Sequence, residues 1–240
     1  MKASSGNYRS LARVYRVLEY VAFGRDLERA RFTLLPALAA GQRILIIGEG
    51  DGRFLQRLLQ LNPRARIDCI DLSPAMLARA RARIGAGARR VRFQAGDIRT
   101  VELAPDHYDA VVTCFLLDCF SADDCAAIIA RLRTALQSNA RWLWSDFALP
   151  AAGFRRWRAR VWLAGLYTFF RWATGLAVRE LPPAEKLIAA QGFEPVVART
   201  WQGGMLRSVI FQATCAGSPR PGVLHCDDTM TKPRCSHQIE

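Results

Sequence analysis

Ile44–Phe54 reads ILIIGEGDGRF, and the reading of this stretch decides the fold. Four branched apolar residues, Ile44–Ile47, run into Gly48-Glu49-Gly50-Asp51-Gly52, after which Phe54, Leu55, Leu58 and Leu59 recur at helical spacing. An unbroken apolar run suits a parallel strand buried on both faces, and the glycines suit a backbone that turns sharply against something close. A strand–turn–helix of this kind points amide N–H groups out of the turn, where a nucleoside-like ligand can sit. Glycine turns also serve plain strand–helix packing, so the ends of the next strands have to arbitrate.

Both carry a carboxylate. Ile67–Asp71 reads as a second strand ending in Asp71, and Leu72-Ser73-Pro74-Ala75-Met76-Leu77 opens a helix with Ser73 as N-cap and Pro74 at its first position. An acid at that strand tip, about 20 residues past the glycine turn, suits the two hydroxyls of a ribose. Val91–Phe93 reads as a third strand, and Gln94-Ala95-Gly96-Asp97-Ile98 brings Asp97 to the same edge. Asp97 can accept from an exocyclic amine such as that of adenine, with Leu72 and Ile98 sandwiching the ring. Either acid alone reads equally well as a cap or turn residue. At consecutive strand ends, the pair favours a ligand.

The spacing also selects among nucleotides. A dinucleotide fingerprint needs G-x-G-x-x-G, whereas here the third glycine comes one position early and Arg53 stands where close packing wants no side chain. No lysine follows the glycines, which excludes a phosphate-binding P-loop. The G-x-G-x-G spacing with its two carboxylates resembles the class I S-adenosylmethionine-dependent methyltransferases. The resemblance runs over roughly residues 44–214 and includes ILIIGEGDGRF, CIDLSPAML, VRFQAGDI, YDAVVTCFLLDCF and QGFEPVVARTWQGGMLRSVIFQA. The last part, with LPPAEKLIAAQGF before two strands, is similar to the ubiquinone/menaquinone C-methyltransferase-like, small-molecule branch. It implies a Rossmann-like α/β fold: a seven-stranded, mostly parallel sheet with a C-terminal antiparallel hairpin, N-terminal helices and a helical lid after strand 5. It also implies S-adenosyl-L-methionine as cofactor, held by Gly48, Glu49, Gly50, Gly52, Asp71, Leu72, Asp97, Ile98 and Cys114. One position departs from the pattern: the family usually has an acid two residues before the first glycine, and here Ile46 occupies it. The cofactor's ammonium must then find other partners, among them the carbonyls of Gly48 or Cys114 or a residue of the N-terminal helices.

At 240 residues and 51% hydrophobic composition the chain suits one α/β domain. The expected division is residues 1–41 as helices covering the cofactor site, 42–215 as the cofactor-binding domain with a lid at about 150–180, and 216–240 as a structureless tail rich in Gly, Pro, Ser and Asp. Seven scattered cysteines, most in apolar patterns, read as reduced core residues of a cytoplasmic protein. No basic segment followed by an apolar one opens the chain, which speaks against a secretory signal. The net charge of +13 invites a nucleic-acid partner, but it is almost all arginine dispersed along helices. YDAVVTCFLLDCF also lacks the Asn/Asp-Pro-Pro-aromatic motif of amino-methylating nucleic-acid enzymes.

Residues 8–40 pattern as two helices, the second over Leu27–Leu38, with Tyr15 and Arg31 as residues able to touch a ligand. Further on come a strand at Tyr108–Cys114, a helix at Ala122–Leu136 begun by Ser121, a strand at Arg141–Ser145, a helix at Pro182–Gln191 stopped by Gly192, and a hairpin of Glu194–Thr200 with Leu206–Ala213. Between them, 154–178 is rich in aromatics and arginines. A membrane span is disfavoured by length and by Arg171; an apolar lid on the acceptor pocket and an interfacial helix at a membrane surface both stay open.

Methyl transfer from a sulfonium needs alignment and dryness rather than an obligatory protein nucleophile. A general base helps a phenol or an acidic carbon, and Asp118 and Asp146, just beyond the fourth and fifth strands, are the candidates. His107 falls at the opposite edge, Tyr167 in the lid suits an aromatic wall, and His225, Cys226, Cys235 and His237 lie in too structureless a context for a metal. The expected activity is methylation of a small, hydrophobic or aromatic acceptor. The alternatives are an RNA or protein methyltransferase, and a catalytically silent cofactor-binding or membrane-associated relative.

Overall fold

The computed structural model describes residues 25–150, 152–154, 156–162, 165, 180–214 and 224–227. The expected helix before residue 25 with Tyr15, Tyr167 and Arg171 of the lid, and Cys235 and His237 of the tail lie outside them.

Five parallel strands form one half of the sheet: β1 (Arg43–Ile47), β2 (Arg66–Asp71), β3 (Val91–Ala95), β4 (Tyr108–Cys114) and β5 (Leu136–Phe147). β6 (Phe193–Trp201) and β7 (Leu206–Ala213) add the expected hairpin, β7 lying antiparallel to β5. The strand order is β3-β2-β1-β4-β5-β7-β6-β8. The eighth strand, β8 (Leu224–Asp227), pairs parallel to β6 and falls inside the segment expected to be structureless. Backbone pairing with an open sheet edge supplies order that side-chain periodicity in so short a stretch does not announce.

Odd and even strand residues bury into different layers. Leu45, Ile47, Ile70, Val111, Trp142 and Phe211 pack with Cys125, Ile128, Ile129 and Leu132 of α4 (Ala122–Ala135) and Ile188 of α5 (Ala184–Ala190). Ile44, Ile46, Ile67, Val112 and Leu143 pack with Phe54, Leu55, Leu58 and Leu59 of α2 (Arg53–Leu61) and Leu77 and Ala80 of α3 (Pro74–Ile84). A third, smaller cluster of Ala30, Phe147, Ala159, Trp201, Met205 and Leu206 lies beyond the C-terminal end of β5. Helix starts follow the expected chemistry: Ser73 Oγ accepts from Met76 N at 3.4 Å with Pro74 behind it, and Ser121 Oγ accepts from Asp124 N at 3.1 Å.

The run expected as one helix over Leu27–Leu38 divides into α1 (Asp26–Phe32) and a 3-10 turn at Leu35–Leu38. Pro36 is the cause, since it has no N–H to donate to residue 32 and its ring crowds that carbonyl. β5 begins earlier and ends later than expected, so Asp146 stands on the strand itself.

Gly52 is where α2 and α3 meet. Its φ is +87°, and a Cβ built there would lie 2.6 Å from Ala80 Cα. Gly52→Ala is expected to cost about 2–4 kcal/mol, the sum of a left-handed L-residue and overpacking. An unchanged urea midpoint would show that the two helices do not need this approach.

Candidate active site

The parallel register puts the C-terminal ends of β1 to β5 on one edge. Ile47 stands opposite Ile70 and Thr113, Asp71 opposite Ala95, and Cys114 opposite Ser145. The chain leaves β1 towards β2 and β3 on one side and reaches β4 and β5 on the other, so the order reverses between β1 and β4. A crevice at such a reversal is the usual ligand position of an open α/β sheet.

The glycine turn lines this crevice. Gly48, Gly50 and Gly52 all have positive φ. A Cβ on Gly48 would press to 2.9 Å from Leu116 Cδ1, whereas a Cβ on Gly50 would meet nothing within 4 Å. Gly50 thus holds a backbone conformation that suits glycine, with open space above it. Asp51 latches the turn: Arg83 of α3 donates to its carbonyl at 2.7 Å and its carboxylate at 3.2 Å. Asp71 braces it from beside, accepting from Gly50 N at 3.2 Å and from Ser73 N at 2.8 Å.

Glu49 turns inward and is only 8% exposed. Its Oε1 accepts from Leu55 N at 3.0 Å, capping α2, whose N-cap position is a side-chain-less glycine. Burial pushes its carboxyl up to about 8, against that hydrogen bond and the positive charge of Arg31. A raised acid contributes stability that is fully present below its unfolded value and is lost as pH rises through the folded one. Thermal melts between pH 5 and 8.5 are therefore expected to fall for the native chain. In Glu49→Gln, which keeps the acceptor, the part of that fall due to Glu49, about 4 kcal/mol, disappears. Parallel curves for the two proteins would overturn the assignment.

Asp97 reaches the same edge as Asp71, since Gly96 N donates to Asp71 O at 3.1 Å. Both of its oxygens accept from Arg99, at 2.6–3.1 Å, and this guanidinium, with the Arg99 backbone N–H, holds the carboxyl below the usual range. Leu72 is 74% exposed beside Asp71, while Ile98 is buried in the core. The two walls expected for the ring are thus one free side chain and one fixed floor.

On the far side of the crevice, Cys114 ends β4 buried, its thiol pushed up to about 12 by burial. Phe115 follows with φ +53°, a left-handed conformation rare for an aromatic residue. Its ring meets Phe147 at 5.6 Å, and the Arg31 guanidinium stands 5.5 Å from its centroid. Arg31 is carried there by α1, because Ser145 and Ser208 both donate to Ala30 O, at 3.1 and 2.6 Å. Nothing in the sequence pattern marked Phe115, Ser145 or Ser208, since their roles arise from strands far apart in the chain.

Asp118 and Asp146, 28 residues apart in sequence, form a buried pair. Asp118 N donates to Asp146 Oδ2 at 3.2 Å, Phe147 N donates to Asp146 Oδ1 at 3.0 Å, and the two carboxyls bond each other. Burial raises both, and the charge of Asp118 raises Asp146 further. Neighbouring Cys119, expected in the core, is exposed, whereas Cys69, Cys114 and Cys125 are buried free thiols.

The opposite edge offers no comparable chemistry. A cleft lined there by Ala37, Gly41, Arg43, Asp109, Asn139 and Arg141 has its charges engaged. Asp109 accepts from Gln42 N and Arg43 N, Arg43 bonds His107, and Arg141 donates to Ala37 O and Gln212. Among the described residues no His, Cys, Asp and Glu group can hold a metal, and no helix is long and apolar enough to cross a membrane.

Residues 44–139 match the family model for a methyltransferase domain. Over 148 residues the chain is 30% identical to a demethylmenaquinone methyltransferase of Deinococcus radiodurans, covering 61% of each protein. It thus spans about three fifths of that relative's length. Solved structures share the fold. A 1,6-didemethyltoxoflavin-N1-methyltransferase of Burkholderia thailandensis, bound to 1,6-didemethyltoxoflavin and S-adenosylhomocysteine, superposes with TM-score 0.57 at 21% identity, over 90% of this chain and 92% of that one. A family 2 O-methyltransferase of Planctomyces limnophilus in complex with apigenin gives TM-score 0.63 at 18% identity, over 89% and 63%. The domain match, the curated relative and the strand order agree in making this chain similar to the class I S-adenosylmethionine-dependent methyltransferases.

Proposed function

We propose that this protein transfers a methyl group from S-adenosyl-L-methionine to a small, hydrophobic or aromatic acceptor. The observation that carries the reading is the single edge on which the open backbone at Gly50, the Asp71 carboxylate, the exposed Leu72 and the buried Asp118–Asp146 pair converge. When bound, the cofactor supplies a methyl already activated on a sulfonium.

The residues present fit that group. Gly48 and Gly50 offer close backbone approach, Asp71 accepts from the ribose, and Leu72 and Ile98 flank the base. Asp97, steadied by Arg99, retains lone pairs for the adenine amine. At the methionine end, the carbonyls of Gly48 and Cys114 would serve the ammonium in place of the acid missing at Ile46, with the Glu49 backbone part of the turn against it, and Arg31 would pair with the carboxylate. Phe115 and Phe147 provide an apolar wall for the acceptor and exclude water.

In the carboxyl pair, Asp146 keeps its proton longer and Asp118 carries the charge. A carboxylate raised by burial is a better base near neutral pH than an exposed one. Asp118 takes the acceptor's proton as its oxygen or carbon attacks, and Asp146 steadies the pair. The small-molecule reading draws support from the ligands named for the two solved neighbours, neither of which is a nucleic acid or a protein. Incubating the protein with a metabolite extract and isotopically labelled methyl donor tests it. Label in a small extractable product supports the reading; label only in RNA or protein, or none, overturns it.

A further inference from the structure

The helical residues 153, 154 and 156–162 leave an apolar face in the open. Phe154 is 72% exposed, Trp157 61%, Val161 54% and Trp162 45%. These positions follow the i, i+3, i+7, i+8 spacing that puts side chains on one side of a helix. The Phe154 and Trp157 rings stack at 5.6 Å, making one continuous aromatic surface. The other side is anchored: Ala159 is fully buried in the cluster of Phe147, Trp201, Met205 and Leu206. The orientation is therefore held by packing, and the aromatic face looks outward.

The charge carried along this stretch of sequence has one sign. From Phe147 to Arg179 the chain contains six arginines, at 155, 156, 158, 160, 171 and 179, and no aspartate or glutamate. Arg158 and Arg160 are exposed beside the aromatics. Scattered exposed hydrophobics need no explanation, but contiguous Phe and Trp ringed by cations mark an interaction surface. Trp and Phe at headgroup depth with arginines reaching phosphates is the composition of a helix lying in a bilayer interface. A nucleic acid would match the charge and leave Phe154 and Val161 without a purpose. An acidic protein groove would match both, but the chain's net charge of +13 favours an extended anionic plane over a local patch.

We infer that the exposed face of Phe154, Trp157, Arg158, Arg160, Val161 and Trp162 docks on an anionic lipid bilayer. The anchoring cluster includes Phe147 and so adjoins the carboxyl-bearing end of β5, which brings the membrane to the edge that carries the crevice. The inference rests on the surface alone and holds whatever the acceptor is.

Flotation of the full chain with phosphatidylcholine vesicles, with and without 30 mol% phosphatidylglycerol, tests it. Binding is expected to the anionic vesicles only, and to weaken as salt is raised. The double variant Phe154→Ser/Trp157→Ser is expected to lose at least five-fold in bound fraction, and Arg158→Glu/Arg160→Glu to do the same, with thermal melts unchanged for both. Absence of binding to anionic vesicles, or equal binding by either double variant, overturns the inference. So does a dimer in sedimentation equilibrium that Phe154→Ser/Trp157→Ser dissolves, which would make a second copy the occupant.

Discussion

Asp71→Ala is expected to lower affinity for S-adenosyl-L-methionine by about 10²–10⁴-fold, read by calorimetric titration. Two hydrogen bonds from ribose hydroxyls to an ionised acceptor contribute about 1.5–3 kcal/mol each, and both vanish with the side chain. The loss has a second source, because Asp71 also receives Gly50 N and Ser73 N and so fixes the turn that lies against the cofactor. Asp71→Asn separates the two in part. Gly50 N and Ser73 N sit on different oxygens, so the amide keeps one of these two bonds while placing a donor where a hydroxyl should donate, and the turn keeps part of its brace while the ribose contact is lost. Affinity should then fall by at least ten-fold with the melting temperature little changed. Native-like affinity in both variants would remove the ribose role and with it the placement of the cofactor.

The second large effect concerns the buried carboxyl pair. Asp118→Asn is expected to reduce labelled-methyl incorporation by about 10²–10³-fold, within the usual range for a lost general base, while leaving cofactor affinity within a factor of three. Asp146→Asn should cost less and shift the pH profile, since the amide removes the carboxyl whose hydrogen bond lowers Asp118 against its burial. Stability should move the other way. Both groups are raised by burial, so each contributes stability present at low pH and lost as pH rises. Either asparagine variant should therefore melt higher than the native chain at pH 8 and not at pH 4.5. Undiminished incorporation in both would assign the pair to structure alone. Loss of cofactor binding would place it at the methionine end instead.

Strands β1 to β4, β6 and β7 were legible, because each depends on local pattern, whereas β8 was not. Ile44–Ile47, Tyr108–Cys114 and Leu206–Ala213 declare themselves by apolar runs, and Ser73-Pro74 and Ser121 declare helix starts by capping chemistry. Glu49 illustrates the limit. Its neighbours Gly48 and Gly50 mark the turn, yet only the fold shows that its side chain leaves the crevice rim, caps α2 and is desolvated there. Asp97 illustrates another. Its strand-end position was readable, but its pairing with Arg99 depends on a turn conformation that side-chain identity does not specify.

What the sequence alone determined is the half proposed to hold the nucleoside: a buried strand, a glycine turn and acids at the next two strand ends, all set by spacing along a single stretch of chain. What tertiary structure decided is whatever joins distant stretches. It paired Asp118 with Asp146, hung Arg31 over Phe115 through Ser145 and Ser208, and turned Phe154 and Trp157 outward from Ala159. The reason is physical: periodicity and capping act over a few residues, whereas burial, charge coupling and exposure depend on which strands become neighbours.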